Sequence, residues 1–223
     1  MNIRQAKQQA ASITIALIGS FALSSTALAE CQKEVGAKCS GANLAKVDWR
    51  GANLDGADFQ NADLTSANLA GASLRGANFK GAKLVTIKLE RSDLTSANFD
   101  GADMQWAAFS EAVAIGASFQ KANLSNASMP EADFSNVVFV GAIMKSISMH
   151  NTDLEGANLN GADLELAFLQ SANFKNTDLT NANLKRATLF GTHFKGAKWV
   201  DGTSICQPPS IRSCQTGKET RKQ

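Results

Sequence analysis

The sequence predicts an all-β solenoid, a quadrilateral β-helix of about eight coils, on three observations. A large apolar residue falls on every fifth position from Leu44 to Trp199, at 31 of 32 positions without insertion or deletion, Ala114 being the exception. Two residues before each stands a small or β-branched residue, Ala in 24 of the 32 cases. A second spacing of twenty is superposed, in Phe59, Phe79, Phe99, Phe119 and Phe139 and, in another register, in Phe134, Phe174 and Phe194.

A period of five matches neither a 3.6-residue helix nor a continuous strand of period two. It matches a three-residue strand, in-out-in, followed by a two-residue corner. Ala and Leu then point inward, and the frequent Asp or Asn between them points to solvent. The second corner residue is often Gly, Asn or Ser, which tolerate tight turns and positive φ. Four such repeats per coil turn the twenty-residue spacing into stacks of rings along an inner wall, where offset contacts are favourable. Eight coils at ~4.8 Å each give a shaft of ~38 Å.

The elements follow in chain order. Residues 1–29 have the pattern of a secretory signal: Arg4 and Lys7, the apolar stretch Ala10 to Leu23, and the small-x-small site Ala27-Leu28-Ala29 before Glu30. A membrane anchor is the alternative. Ser12, Thr14, Gly19 and Ser20 break the stretch, which is short of the ~20 apolar residues a spanning helix needs. Acylation at Cys31 is disfavoured because Glu30 precedes it. The expected location is the periplasm or the extracellular space, or a thylakoid lumen if the source is photosynthetic, with no stable membrane insertion.

Residues 30–39 are expected to form an N-terminal cap, 40–203 the solenoid, and 204–223 a C-terminal cap with a basic tail. Cys31 and Cys39 flank one end, Cys206 and Cys214 the other, both eight apart. An exported chain with an even cysteine count suggests disulfides. Pairing across the ends would span the shaft, whereas bonded cysteines have Cα atoms ~6 Å apart. The expected bridges are therefore Cys31–Cys39 and Cys206–Cys214. Metal ligation is the alternative, although the spacing matches no zinc knuckle. A solenoid end exposes strand edges and core, so it needs a cap, and Trp49 and Trp199 stand where plugs would be.

Repeats such as GANLDGADFQNADLTSANLAGASLRGANF resemble the pentapeptide-repeat proteins with their A-(D/N)-L-x-x consensus. The resemblance covers about residues 40–201 and implies that the quadrilateral β-helix is right-handed. Some members of that family mimic DNA and bind DNA gyrase, which supplies an alternative function. Those members are cytoplasmic and strongly acidic, and they usually dimerise through a C-terminal helix. Here residues 40–203 carry 14 basic and 17 acidic side chains, and the tail Gln215–Gln223 is basic and polar.

The chemistry-bearing residues are sparse. The two histidines, His150 and His193, fall in different repeats, and no nucleophile elbow or phosphate-cradling loop is present. Lys83 falls between Asp63 and Asp103 in the coil register, a compensated ladder. Asp133 and Asp153 would stack as a like-charged pair, far short of the 6–8 oxygens calcium takes. No catalytic, cofactor or metal site is expected, and the formal charge of +2 disappears without residues 1–29, which carry Arg4 and Lys7 and no acid, so a neutral chain gives no reason to expect nucleic acid. The expected role is a non-catalytic scaffold for an unknown protein partner, self-association included.

Two local departures stand out. Ala114 is the one small residue in the large-residue register, which predicts a defect in which Ile115 turns inward and Ala114→Leu stabilises. Outward positions become apolar in the central and later coils: Ala108, Val113, Val138, Ile143 and Phe168, with corner residues Trp106, Ile115, Val140, Leu166 and Phe190. Trp106, Leu166, Phe168 and Phe190 are the candidate anchors of a binding face, provided they merge into one patch.

Overall fold

The computed structural model describes residues 31–203; residues 1–30 and 204–223, with the candidate signal peptide, Cys206, Cys214 and the basic tail, lie outside the described residues. Residues twenty apart pair as parallel bridges without interruption, from Lys38↔Asp58 to Asp178↔Lys198. Four repeats therefore close one coil. Coil 1 spans residues 42–61 and coil 8 residues 182–201. Side 1 carries the inner residues Leu44 to Leu184, side 2 Trp49 to Leu189, side 3 Leu54 to Phe194 and side 4 Phe59 to Trp199.

Each strand is too short for an extended ladder, yet its backbone is satisfied above and below. Asn98 donates its N–H to Ala77 O at 2.9 Å, and Phe79 donates to Asn98 O at 2.6 Å. At nearly every corner an N–H closes a four-residue turn, as Ala102 does onto Phe99 O at 3.0 Å. The second corner residue has positive φ at every repeat from Gly36 to Gly196, the mark of a type II turn. At a few corners Gly also leaves room for a neighbouring side chain: a Cβ on Gly81 would stand 2.6 Å from Asn61 Oδ1 one coil below.

The outward Asp and Asn do more than face solvent. Their Oδ1 accepts the N–H two residues on, at the mouth of the corner, as in Asp63 to Thr65 at 3.0 Å and Asn98 to Asp100 at 2.9 Å. This Asx turn satisfies an amide that the ladder leaves over. Sequence reasoning missed it, although the Asx-x-x spacing before each corner carried the signal.

The side 4 rings stack with centroids 4.8, 4.7, 4.6 and 5.1 Å apart from Phe59 to Phe139. Buried Thr and Ser at the Ala positions return their hydroxyls to the backbone: Thr152 to Met129 O at 2.6 Å and Ser92 to Leu89 O at 2.6 Å.

Ala114 corrects the expected defect. It is fully buried, the bridges Asp93↔Val113 and Val113↔Asp133 are intact, and Ile115 remains exposed. The space is filled from across the core. Coil 4 alone carries Phe on both opposite sides, and Phe109 and Phe119 meet edge-on at 6.2 Å. Phe134, above Ala114, approaches both rings at 5.7 Å.

The ends differ from the expected boundaries in one respect: the repeat conformation starts at Gly36 rather than at 40, and Cys39 occupies a buried inner position of side 4. Trp49 lies 6.3 Å from Phe59 in coil 1, and Trp199 meets Phe194 edge-on at 5.2 Å in coil 8. Leu184, Ala187 and Leu189 are only partly covered at the C-terminal end.

Candidate functional site

The described residues contain no group of three or more His, Cys, Asp or Glu able to hold a metal ion. His150 sits at the corner between sides 2 and 3 in coil 6, and His193 lies on side 3 in coil 8, paired in register with Asn173. Asp133 and Asp153 do stack one coil apart. Each is engaged by an Asx turn, from Ser135 N–H at 3.0 Å and Glu155 N–H at 2.8 Å, and Asn173 donates to Asp153 at 3.0 Å. Lys83 stands in register between Asp63 and Asp103.

Some charged groups elsewhere are paired along the shaft. Arg91 holds Glu111 one coil above by two bonds of 3.1 and 2.9 Å, which keep the Glu111 carboxyl below its ordinary value. Asp63 is also lowered, first by hydrogen bonding from the Thr65 side chain and then by the Thr65 amide. These are surface ladders, and no acid–base pair forms among them.

The remaining feature is the exposed apolar set. Trp106 (60%), Phe190 (64%), Phe168 (44%) and Leu166 (38%) are all exposed. Their places follow from the pairing register. Trp106 and Leu166 lie on the corner between sides 1 and 2, in coils 4 and 7, with Asn126 and Ser146 between them. Phe168 is the outward residue of side 2 in coil 7, and Phe190 is on the far corner of side 2 in coil 8. Ile115 and Ile143 are exposed on other sides, so the full set does not merge into one patch. Four of its members frame one side.

That side has a composition of its own. Its outward column from coil 4 upward reads Ala108, Ser128, Ser148, Phe168, Thr188. The adjoining first-corner residues are Ser110, Pro130, His150, Gln170 and Phe190. None of these ten is Asp, Glu, Lys or Arg, and the His150 and Phe168 rings lie 6.4 Å apart. Depletion of charge with enrichment of aromatics marks the centre of protein interfaces. Lower on the same side, at coils 2 to 4, a depression of about 390 Å³ is walled by Asn68, Ala70, Lys88, Glu90, Arg91, Ser110 and Glu111.

Trp106 and Leu166 are also strained. Both hold φ of +61°, a region that costs a non-Gly residue roughly 1–2 kcal/mol. They are the two apolar side chains among the positive-φ corners, where Gly, Asn, Ser, Thr86 and charged residues otherwise stand. Positive φ at these corners was foreseeable from the repeat, but the framed, charge-free side emerges only when residues are placed by coil.

The N-terminal cysteines lie at bonding distance, Cys31 Sγ to Cys39 Sγ 2.11 Å with Cα atoms 4.7 Å apart. Among the described residues no helix is long and apolar enough to cross a membrane.

No curated protein matches the chain. Among solved structures it is similar to HetL, a pentapeptide repeat protein involved in heterocyst differentiation regulation from the cyanobacterium Nostoc sp. strain PCC 7120, with 28% identity over 75% of this chain and 86% of that one and a TM-score of 0.42. A trypsin-treated form of QnrB1, a plasmid-mediated fluoroquinolone resistance protein, is 20% identical over 71% of this chain and 90% of its own, TM-score 0.45. A pentapeptide repeat protein from the Arabidopsis thaliana thylakoid lumen is 28% identical over 56% of this chain and 66% of its own, TM-score 0.33. The family model for pentapeptide repeats matches in eight copies, from residues 35–71 to residues 167–198. With the unbroken five-residue register and the four-sided coils, that match establishes that the chain belongs to the pentapeptide repeat family.

Proposed function

We propose that this chain is a non-catalytic scaffold, exported through its N-terminal signal, that binds a protein through side 2 of coils 4–8. The observation that carries the proposal is the pair of exposed apolar residues, Trp106 and Leu166, at strained corners beside the charge-free column. Exposure of two large apolar side chains does not aid folding, so it needs another use. The proximity of Cys31 and Cys39 agrees with an oxidising compartment. Near-balanced charge along the shaft argues against mimicry of a polyanion.

The test is a double substitution, Trp106→Asn with Phe168→Asn. Asn is at home at both positions, at the corner as Asn126 and on the outward column as Asn68. The immobilised chain is expected to retain a protein from the exported fraction, and the folded variant to lose it. Equal retention by the variant overturns the assignment to side 2.

A further inference from the structure

We infer that side 2 is a self-complementary face on which two copies of this chain pack antiparallel about a two-fold axis between coils 5 and 6. The inference rests on the docking side assigned above and adds the occupant. In a face-to-face pair whose axis crosses the shaft, coil n of one copy meets coil 11 − n of the other. The corner between sides 1 and 2 then meets the same corner of the second copy, as an isologous contact requires.

Three pairings in this register fit by size. Trp106 in coil 4 meets Leu166 in coil 7. Ala108, the smallest outward residue of side 2, meets Phe168, the largest. Phe190 in coil 8, the most exposed aromatic, meets coil 3, where the depression beside Lys88, Glu90 and Arg91 opens. Its register partner there is Glu90, and Glu90 and Glu111 wall the depression together with Lys88 and Arg91, so the fit is one of shape. At the centre, Ser128 faces Ser148 and Pro130 faces His150, so two flat β faces approach without obstruction.

Charge selects the same register. On side 2 and its corners, Glu111 faces Ser171, Glu131 faces Asn151, Lys145 faces Ser125, Glu165 faces Gln105 and Lys88 faces Thr188. No like charges are opposed. Moving the axis half a coil up sets Lys145 against its own copy, and half a coil down sets Glu131 against its own copy. Such repulsion in the wrong registers is how specificity is built.

Six coils at ~4.8 Å make the face ~29 Å long. That is a small interface, below ~1,200 Å², of the class that associates weakly. A dissociation constant in the micromolar range is therefore expected.

Sedimentation equilibrium of the purified chain tests the idea. A monomer–dimer equilibrium is expected, weakened at least tenfold by Phe168→Asn and unchanged by Ile143→Asn on side 1. The register is tested with Ser128→Asp in one chain and Ser148→Lys in another, residue types that outward positions already carry at Asp133 and Lys88. Each variant alone is expected to dimerise weakly, and their mixture at least tenfold more tightly. A chain that stays monomeric at 100 µM or more, a dimer indifferent to Phe168→Asn, or a mixture no tighter than its parts overturns the inference. A monomer whose capture of an exported protein still depends on Trp106 and Phe168 overturns the two-fold alone. A dimer in the stated register that captures nothing else overturns the heterologous scaffold and leaves the two-fold standing.

Discussion

At the scale of single residues, the core is balanced coil by coil. Ala114→Leu would push a branched side chain among Phe109, Phe119 and Phe134, whose rings already meet at 5.7 to 6.2 Å. Overpacking of this kind costs ~1–3 kcal/mol, so the variant should unfold at lower denaturant. An unchanged or raised midpoint would show that the space was empty. Thr152→Val should cost ~1–3 kcal/mol in the same assay, because the buried Met129 carbonyl loses the hydroxyl that satisfies it at 2.6 Å. Asp63 titrates below its ordinary 3.8 because Thr65 hydrogen-bonds its charged form. The folded value lies below the unfolded one, so the stabilisation is complete above the unfolded value and is lost as pH falls through the folded value. Thr65→Ala should move the Asp63 titration upward in an NMR pH series. The Phe59–Phe139 stack was legible because one spacing of twenty places all five rings on one wall. The filling at Ala114 was not, because the compensating Phe109 lies ten residues from Phe119, on the opposite wall, and only a volume sum over the whole coil reveals it.

At the scale of the repeat, strand and corner answer different demands. The inward Ala and Leu set the width of the shaft, and the outward Asx closes the corner that the next strand leaves from. The strand was readable from apolar spacing alone. The Asx role was not, since an Asp or Asn facing water looks the same whether or not its Oδ1 holds an amide. Corners vary more than strands because many residue types accept positive φ where the coil ladder holds both ends, as Trp106 N–H does to Ser125 O at 3.1 Å. Acceptance has a cost. Trp106→Asn should relieve part of the ~1–2 kcal/mol that a left-handed conformation imposes on a bulky residue, and so leave stability equal or higher in thermal unfolding. A clear fall would mean that Trp106 packs on the shaft as structure, which would remove the main argument for its use in binding.

At the scale of the whole molecule, each coil touches only its neighbours, so stability sums over adjacent pairs and is least at the ends. Hydrogen exchange should therefore be slowest in coils 3 to 6, farthest from either end, and should quicken toward residue 36 and toward coil 8. The N-terminal end has a further feature. Cys39 fills the inner position beneath Phe59 and lies at bonding distance from Cys31, so that a disulfide there would close the chain that covers coil 1. Closing a loop of eight residues is worth ~2.5 kcal/mol in the chain-entropy account. On reduction, the amides that bond to this end, Asp58 to Ala37 O and Asp63 to Ala42 O, should lose protection by tens of fold, while Phe119 in coil 4 keeps its own. Uniform loss through all coils would show that the shaft opens as one unit, against the nearest-neighbour picture. No loss anywhere would show that burial of Cys39, rather than its bond, secures the end.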